Sequence, residues 1–188
     1  MYNHCVRGEP TRKPAVRKPV VFIGRALDEI RDFPSAARQD AGHQIDLVQC
    51  GETPRGSKPM PSVGKGVREI RIAEDDGWFR VFYAAMKEHQ EQQEFASVFD
   101  ALADTPAESE NLKVRSQLMR AIRDRIDEFG WSQRVAATNL GVTQPRISDL
   151  KNGKMSRFSV DTLVNLAAKV GLTVEVRIVD TRTVDAPA

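Results

Sequence analysis

Gln144 and Arg146 stand two residues apart in the segment "GVTQPRISDL". A glutamine amide pairs bidentately with adenine and a guanidinium with guanine, so a helix presenting both side chains can read base edges in a major groove. Ile147 and Leu150 follow at the spacing of a buried stripe, which leaves Gln144, Arg146, Ser148 and Asp149 outside. Thr143 caps this helix, while Gln133, Asn152 and Lys154 flank it where phosphates would pass. Phosphate contacts set register and base contacts carry sequence, so the set as a whole predicts a double-stranded DNA reader. The competing interpretation is a small helical core whose exposed polar residues are merely solvated.

Such residues need a frame, and the flanking sequence supplies one. Thr105, Pro106 and Glu108 form a capping box with proline at the first helical position. Leu118, Ile122 and Ile126, with Met119 and Phe129 beside them, give that helix one apolar stripe, and Gly130 ends it. Ser132 caps a second helix, Gln133 to Leu140, with Val135, Ala136 and Leu140 inward. Gly141 turns the chain, Val142 plugs the turn, and the reading helix runs from Gln144 to Leu150 and stops at Gly153. Ser159 caps a fourth helix burying Leu163, Leu166, Ala167 and Val170. "LTVEVRIVD" then alternates strictly, which predicts a β-strand.

Charge divides the chain at the same place. Residues 88 to 110 hold seven acids and no Lys or Arg, whereas residues 111 to 158 hold ten basic residues against four acidic ones. A basic helical block behind an acidic connector suits an anionic partner. With 188 residues, the longest aliphatic runs no longer than "PVVFI" and two lone cysteines, the chain reads as a cytoplasmic protein. No membrane span, secretory signal, disulfide framework, metal site or cofactor site is expected. The expected organisation is three segments: an N-terminal unit at 18–87, a connector at 88–104 and a helix-turn-helix unit at 105–180.

"WSQRVAATNLGVTQPRISDLKNGK" resembles the XRE class of regulators with the lambda-repressor-like fold, and resembles HigA-type antitoxins still more closely, through "FSVDTLVNLAAKVGL" and the terminal strand. The resemblance spans about Phe95 to Val179. It implies sequence-specific DNA binding and repression of its own operon. A lone strand after a helical bundle has an unpaired edge. Thr173–Val179 is therefore expected to form a homodimer with its copy on a palindromic operator, the alternative being that it docks on the N-terminal sheet.

The N-terminal unit reads as α+β. "PVVFIG" is a short strand, two helices broken at Pro34 follow with Leu27, Ile30, Ala37, Ala41, Ile45 and Val48 inward, and "VREIRIA" and "WFRVFYAA" form a hairpin across "DDG". This order, with "KPMPSVGKGVREIRI…GWFRVFYAA", resembles the RelE/ParE superfamily and its phage-derived HigB-like, Gp49-like toxins. That resemblance implies a metal-free, ribosome-dependent mRNA endonuclease whose cationic face here comprises Lys58, Lys65, Arg68, Arg71 and Arg80. Without the resemblance, these residues read as a solvated face paired with Glu69, Glu74 and Asp75. The family continues into a further strand and a basic tail; here "FYAA" passes directly into the acidic connector, so a silent toxin remnant is expected. Two alternatives stand: an endonuclease silenced by its fused antitoxin, and a module that titrates a cognate toxin or antitoxin. Phe95, Val98, Phe99 and Leu102 on the connector form a stripe that either covers the toxin-like sheet or simply begins the next unit.

Overall fold

A computed structural model of the chain describes residues 17–74, 77–85 and 93–179. Near the start, β1 (Val20–Val21) leads to α1 (Ala26–Arg31) and α2 (Ser35–Gln49). β2 (Lys58–Pro59), β3 (Arg68–Glu74) and β4 (Gly77–Tyr83) make an antiparallel sheet in the order β2-β3-β4. β5 (Glu94–Phe95) and α3 (Val98–Leu102) precede the helices of the second unit: α4 (Pro106–Glu128), α5 (Gln133–Leu140), α6 (Gln144–Asn152) and α7 (Val160–Lys169). A 3-10 turn, Met155–Arg157, joins α6 to α7.

The hairpin register pairs Ile70 with Val81 and Ile72 with Phe79, which puts the apolar side chains on the face beneath α2. Ala37, Ala41 and Ile45 of α2 are buried, small enough to bring helix and sheet close. One continuous buried cluster then runs from Ile30 through Ile70, Phe99 and Ile122 to Val170. The α+β unit and the helical unit therefore share a core.

Among the described residues, no part of the connector pairs with β4. Instead β5 pairs antiparallel with β1, Val20 opposite Phe95. Val98, Phe99 and Leu102 are buried and Phe95 is half-buried, its ring meeting Phe22 edge-on at 6.0 Å. Gly42 makes room for this packing, since a Cβ there would lie 2.9 Å from the Phe99 ring. The rest of the acidic run, 86–92, lies outside the described residues, as does Asp75 in the hairpin turn.

Several local expectations change. The Thr105 cap forms, with Glu108 N–H donating to Thr105 Oγ1 at 3.1 Å, but the return bond of the expected box shifts by one residue: the Glu108 carboxylate accepts from Asp104 N–H at 2.8 Å. Phe129 and Val135, expected inside, are exposed, and Ala137 takes the inward place beside Ala136. Phe129 instead stacks on Trp131 at 4.6 Å. The expected strand at Thr173–Val179 makes no ladder in the single chain. Val176 is 82 % and Ile178 92 % exposed, because a strand is defined by its partner and it pairs with none among the described residues.

Candidate DNA-binding surface

The two central helices are set by their ends. Ser132 accepts from Val135 N–H at 3.3 Å, and Gly141 closes α5 with φ 62°. Lys169 Nζ reaches back to Leu140 O at 2.6 Å and so fixes the end of α5 to α7. Thr143 begins α6 in extended conformation without a side-chain cap bond, and Pro145 sits in the first turn where no amide partner is required. Ile147 and Leu150 anchor the back of α6 in the core.

That anchoring leaves the other side outward. Gln144 is exposed; Ser148 and Asp149 are half-buried. Arg146 lies with its guanidinium carbon 5.0 Å from the centre of the Phe158 ring. The cation–π contact holds the long side chain in one place while it stays half-exposed, and Asp149 approaches it only at 4.0 Å. Asn152 Nδ2 donates to Ser148 Oγ at 3.3 Å. Gln133 and Lys154 are half-buried at the two ends of the surface, and Thr143 is exposed. Thus the seven residues singled out for DNA lie on α5, α6 and the turns beside α6.

Sequence reasoning missed the opposite flank of α2. Asp40, His43, Gln44, Asp46 and Gln49 are all buried. His43 Nδ1 meets Ser116 Oγ at 2.8 Å, and Ser116 Oγ donates to Asp46 Oδ2 at 2.6 Å, while Arg17 Nε donates to Asp46 Oδ1 at 2.8 Å. Although Ser, His and Asp occur together, the serine proton goes to the aspartate and all three are inside the core, so this is a structural network. Burial pushes His43 down to about 3 and Asp40 up to about 7. A signal was available: "DAGHQIDLVQ" lacks any Lys, Arg or Glu, which a solvated helix face would carry.

The cationic set on the sheet is divided. Pairing places Glu69, Arg71, Arg80 and Phe82 on the outer face with Lys58, and Arg68 on the other. Arg68 bonds Ser57, with Nη2 2.9 Å from its Oγ. Arg71 Nε sits 2.8 Å and Arg80 Nε 3.4 Å from the carboxylate of Glu69, which is fully buried between them. Lys65 is exposed in the loop before β3. Among the described residues no three His, Cys, Asp or Glu side chains converge as a metal would require.

Residues 101–179 match the helix-turn-helix domain family, and residues 28–92 match the phage-derived Gp49-like protein family. A solved structure described as a putative XRE family transcriptional regulator is 34% identical, over 43% of this chain and 90% of that one, with a TM-score of 0.38. The chain carries an XRE-type helix-turn-helix domain in its C-terminal half. Its N-terminal unit is a Gp49-like domain of the RelE/HigB type, fused ahead of the XRE-type helix-turn-helix domain. No curated protein matches the chain. No helix among the described residues is long and apolar enough to cross a membrane.

Proposed function

We propose that this protein is a sequence-specific transcriptional regulator, acting as a dimeric autorepressor of the HigA kind with a catalytically silent toxin-like half. The observation that carries the proposal is α6. Its back is fixed by Ile147 and Leu150, and its outer side offers Gln144 beside an Arg146 already held on Phe158. Preorganised base-reading groups lose little freedom on binding. Gln133, Thr143, Asn152 and Lys154 serve the flanking phosphates and Ser148 the groove between them.

Dimerisation follows from the terminal segment. Val174, Val176 and Ile178 alternate with Glu175 and Arg177. In an antiparallel pair centred on Val176, Glu175 of one copy faces Arg177 of the other, and such opposite charges favour the pairing. A two-fold dimer suits a palindromic operator.

Silence of the toxin-like half is supported by Arg71 and Arg80, which are committed to a buried carboxylate, and by Arg68, which faces away. A scissile phosphate meeting them would lie close to the negative charge of Glu69, which opposes its binding. Titration of a free toxin or antitoxin is disfavoured because α2 is already buried against α4 in the same chain. The test is a footprint on a duplex selected by the protein from random sequence, repeated with translation extracts for mRNA cleavage. Absence of a selected duplex would refute the regulator, and ribosome-dependent cleavage lost on replacing Arg71 and Arg80 would establish the endonuclease instead.

A further inference from the structure

The turn after the reading helix is held from outside its own unit. The last carbonyls of a helix have no intrahelical donors. In α6, Leu150 O accepts from Gly153 N–H at 3.2 Å and Asp149 O from Lys154 N–H at 3.0 Å, whereas Asn152 O accepts from Gln44 Nε2 of α2 at 2.9 Å. Beyond it, Ser156 N–H donates to Asp40 Oδ1 at 2.8 Å. Arg115 of α4 bonds Met155 O and, through its other terminal nitrogen, Gln39 Oε1 at 3.2 Å. Gly153 completes the seat. It has φ 74°, and a Cβ there would collide with the Gln44 amide and lie 2.8 Å from His43 Cδ2. Gln44 is 5 % and Asp40 3 % exposed, so these bonds are shielded from water.

We propose that Gln44 and Asp40, in the Gp49-like unit, are positioning residues for DNA binding by the helix-turn-helix unit. They fix the backbone of residues 152–156, and with it the side chains of Asn152 and Lys154 that meet flanking phosphates. The inference rests on the DNA-binding function proposed above. Its physical basis is entropic: a turn anchored before DNA arrives need not be ordered by DNA. It also gives the toxin-like half a role that requires no catalysis. α2 lies between the hairpin sheet and the turn it anchors, so the toxin-like fold acts as a brace.

The test uses the full-length chain and a duplex it selects from a random pool. Affinity for that duplex and for a scrambled one is measured over a salt series for wild type, Gln44→Ala, Asp40→Ala and Asp40→Asn, at a temperature where circular dichroism shows each folded. Gln44→Ala and Asp40→Ala are expected to weaken both duplexes about tenfold, equivalent to 1.4 kcal/mol. The dependence of log K on log salt should become shallower by about 0.9 for each phosphate that Asn152 or Lys154 no longer reaches. The ratio between the duplexes should stay, because the base-reading side chains are untouched. Asp40→Asn retains an oxygen for Ser156 N–H and should restore both affinity and slope. A purely structural role for α2 would lower the melting temperature of Gln44→Ala and leave its affinity and slope at the wild-type values, which would overturn the inference. If Asp40→Ala fails to fold, Gln44→Ala decides alone. Failure of the wild-type chain to select any duplex would instead sink the proposed function.

Discussion

The outer surface of α6 and the outer face of the β3–β4 hairpin both carry arginine, yet they are built oppositely. On α6, Arg146 rests on the Phe158 ring, with its nearest carboxylate at the 4.0 Å limit of an ion pair. On the hairpin, Arg71 and Arg80 close over Glu69, whose carboxylate is fully buried beneath them. An aromatic shelf orients a cation and leaves its donors for an incoming partner. A buried countercharge offsets the charge of the cations above it and takes the Arg71 Nε donor, because leaving that carboxylate unpaired would be costly. The difference teaches that a count of basic residues says little about nucleic-acid binding until the position of each countercharge is known. Trp78, 70 % exposed, and Phe82 stand on the hairpin beside the neutralised arginines, which keeps that region shaped for contact even where its charge is spent.

The comparison would break most completely if α6 proved dispensable. Gln144→Ala with Arg146→Ala is expected to abolish preference for the selected duplex, each bidentate contact being worth about 1–3 kcal/mol and each being made twice in a dimer. Binding to random DNA should survive and remain salt-sensitive through the phosphate contacts. Gel shifts with selected and scrambled duplexes measure this, and full discrimination by the double variant would remove α6 from the interface.

A smaller but still large effect is expected at the terminal segment. Val176→Pro removes a backbone amide from the centre of the proposed dimer ladder. Analytical sedimentation should show monomer, and the selected duplex should bind more weakly although the helical core melts as before. Val176 contributes nothing to that core, being exposed. A variant that sediments as a dimer would place the interface elsewhere.

On the hairpin side, Glu69→Gln removes the countercharge and keeps the shape. The variant is expected to bind single-stranded homopolymer RNA with a salt dependence steeper by about 0.7 for each arginine released. Filter binding of poly(U) reads it. An unchanged slope would mean that the arginines are held by something other than Glu69's charge.

How much of this was legible in the sequence follows from the kind of signal each part carries. The helices of the second unit announce themselves through caps and glycines, and Ser132, Ser159, Gly141 and Gly153 act in the structure as their types suggest. The hairpin was legible through its alternation, because one face is apolar. Which way Arg68 points was not, since the β-strand has Val67, Ile70 and Ile72 out of strict alternation and only the pairing register decides the face. The hidden flank of α2 was the largest omission. Periodicity finds apolar stripes, and this helix is buried on a polar one, where Asp40, His43, Gln44 and Asp46 each bond a group 70 or more residues away. No local pattern encodes such partners. Phe129 and Val135 erred in the reverse sense: each is apolar at core spacing, but the helix ends before its side chain reaches the core or turns it aside.

The smallest expected effect lies in the joint between the two units. Burial raises Asp40 from 3.8 to about 7, with Glu74 beside it adding to the rise, and burial lowers His43 from 6.5 to about 3. A carboxylate whose folded value is raised binds more protons folded than unfolded, so its contribution is fully present below about 4 and is lost as pH rises through about 7. A histidine whose folded value is lowered contributes stability above about 6.5 that is lost as pH falls toward 3. Between pH 4 and 6.5 the two slopes oppose, and wild-type stability should change little there. Asp40→Asn removes one of them while keeping the acceptor for Ser156 N–H. Its melting temperature relative to wild type should therefore rise as pH goes from 4 to 7 and level off above, while its own stability climbs from pH 3 to 6.5 on the histidine alone. In a chain of this size, 1 kcal/mol moves the midpoint by about 2–4 °C, so the difference is readable by calorimetry. A constant offset across that range would show that Asp40 keeps its ordinary carboxylate value in the folded protein and is ionised there well below pH 7. The bond to Ser156 would then be made by a charged oxygen, and the brace would be insensitive to acid.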